Sequence, residues 1–258
     1  MQHLKNTEIK ELGEVLLKAG AYLMSSGANS RRIRAIIDRI SGSFGYNTEL
    51  LITHRALMIS LSDENDNTFF SSLKRTSPHG VNFRIVSGIS RMSWRILEEG
   101  WDIVQIEREL DRLIALPHYP RLLILSTVAL AGASFCRLFG GNWIDMTVAF
   151  GATFAGLFVR QELVKRHYNP YICIYSASFT ASLISGFFMK YGVDLSPTRE
   201  HAFATSVLFL IPGVPLINSF SDLIDGNLMN GIVRGINGLI IAFAIALGLI
   251  SAMLIYQI

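Results

Sequence analysis

Over residues 8–24 the apolar side chains Ile9, Leu12, Leu16, Ala19 and Leu23 recur at helical spacing, with Glu11, Glu14 and Lys18 on the opposite face. An amphipathic helix is predicted there. Ser25-Ser26-Gly27-Ala28-Asn29-Ser30 breaks it and caps a second helix, which turns Ile33, Ile36, Ile37 and Ile40 inward and Arg31, Arg32, Arg34 and Arg39 outward. After Phe44-Gly45 the pattern becomes strand-like. Residues 48–53, 56–61, 68–73 and 81–86 are predicted strands, separated by a turn at 63–67 and by Ser77-Pro78-His79-Gly80. Helices return at 90–100 and 102–116. The second of these opens on Asp102 as N-cap with Gln105 in capping-box position, and Ile103, Ile106, Leu110 and Leu113 form its apolar stripe. The expected unit is a small α+β domain over residues 1–116 with antiparallel strands, closed by a linker at 117–121.

Beyond the linker the pattern changes again. Long apolar runs at 122–139, 143–159, 171–189, 202–223 and 235–256 predict five membrane passages, an all-α bundle over 122–258. Small residues four apart supply close-packing faces: Ser178, Ser182 and Gly186; Gly151 with Ala155; Ala152 with Gly156; Ala244, Gly248 and Ala252. Such faces on the last helix point to a partner in the membrane. Arg160, Lys165, Arg166 and His167 crowd the link between the second and third passages, whereas the links after the first and third carry Arg137, Lys190 and Arg199. By the positive-inside rule the N-terminus is cytoplasmic and the C-terminus outside.

Composition narrows the function classes. The chain has 258 residues, half of them hydrophobic, and a formal net charge of +3. Most of the charge precedes Arg121, and basic residues there are interleaved with acidic ones, so nucleic-acid binding is not indicated. The first residues hold no apolar core of signal-peptide length. Cys136 and Cys173 have neither metal nor redox spacing, and His3, His54 and His79 have no ligand partners at helical spacing. Neither a phosphate loop nor a nucleophile elbow occurs, so no cofactor and no enzymatic activity are expected.

Candidate chemistry concentrates in AFATSVLFLIPGVPLINSFSDLIDGN, residues 202–227. Pro212, Gly213 and Pro215 interrupt an apolar run, and the two prolines deprive the carbonyls of Leu208 and Ile211 of helical partners. Pro212 lies ten positions after Ala202, ~15 Å at the helical rise and so near the middle of a ~30 Å hydrocarbon layer. Pro215 is expected to open a second half-helix, with Asn218 and Ser219 at its positive amide end, an arrangement that many transporters use to hold substrate. A kink packed against neighbouring helices explains the same residues. Asp222 and Arg234 flank Asp225-Gly226-Asn227, either as a pair fixing a hairpin or as a proton-coupling acid and an anion-binding base. Arg137 and Asp145 are candidates for a matching outer pair. Asn218 and Asn237 are polar within apolar runs and need partners in a neighbour, water or a ligand.

IPGVPLINSFSDLIDGNLMNGIVRG, residues 211–235, resembles the signature of the threonine/serine exporter family. The likeness extends to Ser26-Gly27-Ala28-Asn29-Ser30, Tyr119-Pro120-Arg121, Val159-Arg160-Gln161 and Arg166-His167. These features are most similar to the larger subunit of the family's two-component branch in the bacterial inner membrane. The resemblance implies export of a small carboxylate, with succinate associated with that branch, or of threonine or serine. It also implies that a second block of membrane helices is a separate polypeptide, making a hetero-oligomer. It supplies no site residues, so substrate binding by Pro212, Gly213, Pro215, Asn218, Ser219, Asp222, Arg234 and Asn237 rests on the physical argument alone. A membrane sensor with a ligand-binding N-terminal domain is the reading from a different class.

Overall fold

The computed structural model describes residues 2–63, 69–76, 80–117, 119–191 and 200–257, with side chains from residue 7 onward. The turn expected at 64–67 and the connection at 77–79 lie outside the described residues. In chain order the elements are α1 (Gln2–Ser25), α2 (Ser30–Ser43), β1 (Asn47–Ile52), β2 (Ala56–Ser62), β3 (Phe69–Arg75), α3 (Phe83–Glu99) and α4 (Ile103–Ile114). Then come α5 (Arg121–Leu138), α6 (Trp143–Lys165), α7 (Pro170–Tyr191), α8 (Glu200–Thr205), a 3-10 turn at Leu208–Leu210, α9 (Gly213–Ile224) and α10 (Leu228–Tyr256). Two compact units result: Met1–Pro117 with Val214–Ile236, and His118–Gly213 with Asn237–Ile258.

In the first unit β1, β2 and β3 form an antiparallel meander, with Leu50 opposite Ile59 and Leu61 opposite Phe70. α1 lies on β2 and β3, and α2 joins it against α3. The expected inward residues are the core: Ile9, Leu12, Leu16, Ala19 and Leu23 of α1 and Ile33, Ile36, Ile37 and Ile40 of α2 are buried with Leu57, Ile59 and Leu61 of β2. Close approach of α1 to the sheet needs Gly13 and Gly20, because a Cβ there would sit 2.2 Å from Phe70 and Leu57 respectively. The expected capping box forms, with Gln105 N–H on Asp102 and Asp102 N–H on the Gln105 side chain.

The strand expected at 81–86 does not form. Asn82 instead caps α3, its side-chain oxygen accepting from Ile85 N–H, and the helix starts at Phe83, seven residues ahead of its expected start at 90. Val81 and Phe83 are left exposed, and the buried stripe of the helix is Val86, Ile89, Met92 and Ile96. A four-helix N-terminal region with a three-stranded sheet is the outcome.

The second unit is helical, with small-residue seams. A Cβ on Gly156 of α6 would come within 2.8 Å of Ala177 O on α7, and one on Gly248 of α10 within 2.8 Å of Phe179 N and Ser178 on the same helix. The Ala244-Gly248-Ala252 face is therefore used within this chain against α7, and not by a separate partner as its spacing invited. Gly151, by contrast, has open space around it. Among the described residues three helices, α5, α7 and α10, are long and apolar enough to cross a membrane, and a fourth crossing results if α8 with its 3-10 turn and α9 are one bent span. α6 reaches 23 residues but is not among them. The architecture is thus an α+β N-terminal region followed by a mostly helical region with three to four candidate spans among the described residues; the five expected passages include α6 as well.

Candidate functional site

The interruption predicted at Pro212 and Pro215 is present. The run from Ala202 is α-helical only to Thr205, tightens into one 3-10 turn, and resumes as α9 at Gly213. The carbonyls threatened by the prolines find local donors: Leu208 O accepts from Ile211 N–H at 3.2 Å and Ile211 O from Gly213 N–H at 2.8 Å. Pro215 is the third residue of α9 and not its first. It is tolerated there because the first turn of a helix has no internal acceptor for its amides. Pro212 is buried, and a Cβ at Gly213 would meet nothing within 4 Å.

From Val214 the chain runs through a helical hairpin that carries most of the suspected polar residues. Gly226, at φ +81°, reverses the chain, and Asn227 N–H closes the turn on Asp222 O at 2.7 Å. α9 and α10 then approach closely. Ser219 Oγ donates to Gly231 O at 2.7 Å, and a Cβ at Gly235 would sit 2.9 Å from that hydroxyl.

The hairpin's polar face meets the Gly27–Ser30 turn of its own unit. Helix α1 ends there with Gly27 at φ +89°, leaving carbonyls without helical donors, and α2 begins with amides that have no helical acceptor. Each orphan group finds a partner of the right sign. Asn218 Nδ2 donates to Gly27 O at 2.8 Å and Arg234 Nη2 to Ala28 O at 3.2 Å, so a cation faces the negative end of α1. Asp222 Oδ1 accepts from Ser30 N–H at 3.0 Å, so a carboxylate faces the positive end of α2. Asp222 is fully buried and Arg234 is 9 % exposed. Arg234 Nη1 lies 3.1 Å from Asp222 Oδ2, yet neither atom makes a well-aligned hydrogen bond. The result is a buried ion pair, firmly held through its other atoms and loosely engaged through these two.

Next to this junction is a cavity of about 290 Å³ whose wall includes Gly27, Asn29, Arg31, Arg32, Phe83 and Asn218. Arg31 Nη1 reaches Asp225 at 3.3 Å, with its side chain 77 % exposed. Asn29 caps α2, accepting from Arg32 N–H at 2.9 Å.

The comparisons with known proteins decide the class. The family model described as "ThrE: Putative threonine/serine exporter" matches residues 14–256. The chain belongs to the ThrE threonine/serine exporter family. It is therefore a multi-pass membrane transporter and not an enzyme, and the sensor reading falls with that result. Among ThrE relatives it is 28 % identical, over 96 % of its own length and 95 % of the other's, to a "Probable succinate transporter subunit YjjP" of Klebsiella aerogenes. A protein of the same description from Escherichia coli K12 is 26 % identical over 98 % of both chains. A "Probable threonine/serine exporter" of Mycobacterium tuberculosis is 20 % identical over 93 % of this chain but 45 % of its own length. No solved structure matches.

Set on this ThrE chain, the sequence-derived residues separate into groups. Asn218, Ser219, Asp222 and Arg234 come together in one unit, Asp222 and Arg234 as the pair that their spacing allowed. Asn237 accepts from Tyr171 Oη at 2.9 Å in the other unit. Asp145 is an N3 capping residue, bonded to Asn142 N–H at 2.9 Å, and Arg137 Nη1 donates to Gly141 O at 3.2 Å. Sequence reasoning missed Asn230, which donates to Ile52 O at 2.9 Å and reaches Ser30 Oγ at 3.4 Å, and missed Ser30 itself. The available signal was the pair of segments that carried the ThrE resemblance, 26–30 and 211–235, which the fold brings into contact.

Proposed function

We propose that this chain is one subunit of an inner-membrane secondary exporter that moves a small dicarboxylate, succinate foremost, together with a separate YjjB-like membrane subunit. The observation that carries the reading is alignment over nearly the whole of two relatives whose names specify a succinate transporter subunit. A subunit by name works with another chain, which supports a hetero-oligomer. Threonine or serine is the alternative cargo, favoured by the family description and by the longer mycobacterial relative.

In this reading Pro215, Asn218 and Ser219, in the first turns of the half-helix, contact the anion as it passes, and Pro212, Gly213 and Asn237 are candidate contacts of the other unit, taken by itself. Arg234 is the group that a substrate carboxylate competes for. Asp222 is the carboxylate that would take part in proton coupling, since it holds both Arg234 and the Ser30 N–H. A proton would then be coupled to an anion through a single carboxylate. Counting α6 as a further passage makes five, with the N-terminus cytoplasmic and the C-terminus periplasmic, as the cations at Arg160, Lys165 and Arg166 favour.

The test is reconstitution of the chain in vesicles, with and without a YjjB-like subunit, followed by efflux of labelled succinate and labelled threonine. Succinate efflux that requires both chains supports the proposal. Threonine efflux without succinate efflux replaces the cargo, and movement of neither overturns the exporter reading.

A further inference from the structure

The second unit holds a cleft of about 650 Å³ that the transport reading above does not use, lined by Tyr119, Arg121, Ile124, Leu157, Arg160 and Lys165 among others. Its cations are only partly neutralised. Arg121 ion-pairs with Glu162, donates through Nε to Gln161 at 2.7 Å and lies 4.6 Å over the Phe158 ring, yet its Nη2 is buried without a hydrogen-bond partner. Lys165 shares the same Glu162 at 3.6 Å. Arg160 is half-buried, and among the described residues no hydrogen bond or ion pair reaches its guanidinium. Among the described residues the cleft thus holds three cations, two of which share one carboxylate, and desolvated guanidinium without an anion is unfavourable.

The remaining wall is apolar, through Ile124, Leu157 and Val164. Arg121 is the first residue of α5, a candidate span, and Lys165 the last of α6, so the charged end of the cleft marks a boundary between membrane and water. An anionic head beside an aliphatic tail fits both halves, whereas a succinate-sized anion leaves the apolar wall unfilled.

We propose that this cleft binds an anionic phospholipid, its headgroup phosphate between Arg121 and Arg160 and an acyl chain along Ile124, Leu157 and Val164. Basic pockets between membrane helices hold such headgroups elsewhere. The inference stands apart from the cargo, since it concerns residues outside the signature hairpin.

The test is native mass spectrometry of the full-length chain with phosphatidylglycerol or phosphatidylcholine. Phosphatidylglycerol is expected to be retained preferentially, and Arg160→Gln to weaken it about fivefold, the effect of one basic residue at an anionic surface. Arg160→Lys should keep most of the preference. Because no hydrogen bond or ion pair from the described residues reaches Arg160, the Gln variant should melt like the parent. Equal retention of the two lipids by the parent chain, or undiminished phosphatidylglycerol on Arg160→Gln, overturns the proposal. So does displacement of the lipid by equimolar inorganic phosphate or succinate, which would make the cleft a small-anion site. A photo-crosslinker at Val164 that captures a polypeptide instead of lipid in native membranes overturns it as well.

Discussion

The two units solve the packing problem in opposite ways. In the N-terminal region large aliphatic side chains are hidden: Leu12, Leu16, Ile33 and Ile37 are fully buried, because removing them from water is what drives the fold. In the helical unit the large side chains point outward, with Leu130, Phe135, Trp143, Leu239, Phe243 and Leu254 all exposed. Beside a few large side chains such as Leu125, Ile174 and Leu210, most of what is hidden there is small or weakly polar, as at Ala129, Ala152, Ala177, Ser178, Ser182 and Ala252. Lipid offers no hydrophobic reason to bury leucine, so close backbone contact and hydroxyl-to-carbonyl bonds such as Ser178 Oγ to Ile245 O at 2.8 Å take over. The inside-out distribution is itself physical evidence for the lipid environment that family membership requires.

That contrast can be broken from either side. Gly248→Leu should have the largest effect, since its side chain would collide with the α7 backbone at Phe179 N and Tyr175 O; loss of folded, detergent-stable protein by size-exclusion chromatography is expected. Asp222→Ala comes next. It strands a buried guanidinium and an α2 amide, at a cost of about 3–5 kcal/mol in thermal or chemical unfolding. Leu16→Ala, in the water-driven core, should cost about 2–5 kcal/mol. Asn218→Ala removes one bond to Gly27 O and should cost about 1 kcal/mol, seen as faster hydrogen exchange around residues 26–30. Leu239→Ala, the same deletion as at Leu16 but on an exposed face of α10, should leave the melting temperature within error; a loss comparable to Leu16→Ala would sink the contrast.

How much of this was legible differs between the same two regions. The stripes of α1, α2 and α4 could be read residue by residue, because water imposes a period on the chain. The strand expected at 81–86 failed because the alternation of Val81, Phe83 and Ile85 is short, whereas Val86, Ile89, Met92 and Ile96 continue a helical stripe that the Asn82 cap opens. In the helical region the runs were visible, but the use of the Ala244-Gly248-Ala252 face was not, since small-residue spacing does not say which helix fills the groove. The site was half legible. Asn218, Asp222 and Arg234 stood out as polar groups in apolar surroundings, and the Asp222–Arg234 pair is local. Their other partners, Gly27, Ala28 and Ser30, lie about 190 to 206 positions away in sequence. No spacing rule reaches that far.

The functional claim turns on whether the Asp222–Arg234 pair works in transport or only holds the hairpin to the Gly27–Ser30 turn. Removing both charges together, in Asp222→Ala/Arg234→Leu, separates these roles, because losing the pair as a unit spares the fold the cost of one stranded charge. Succinate efflux from vesicles carrying this double variant and its partner subunit is the most direct measurement. The account predicts a chain that melts above the Asp222→Ala single variant, short of the parent by about the two main-chain bonds lost at Ser30 N–H and Ala28 O, and that moves no succinate; efflux at the parental rate would contradict it.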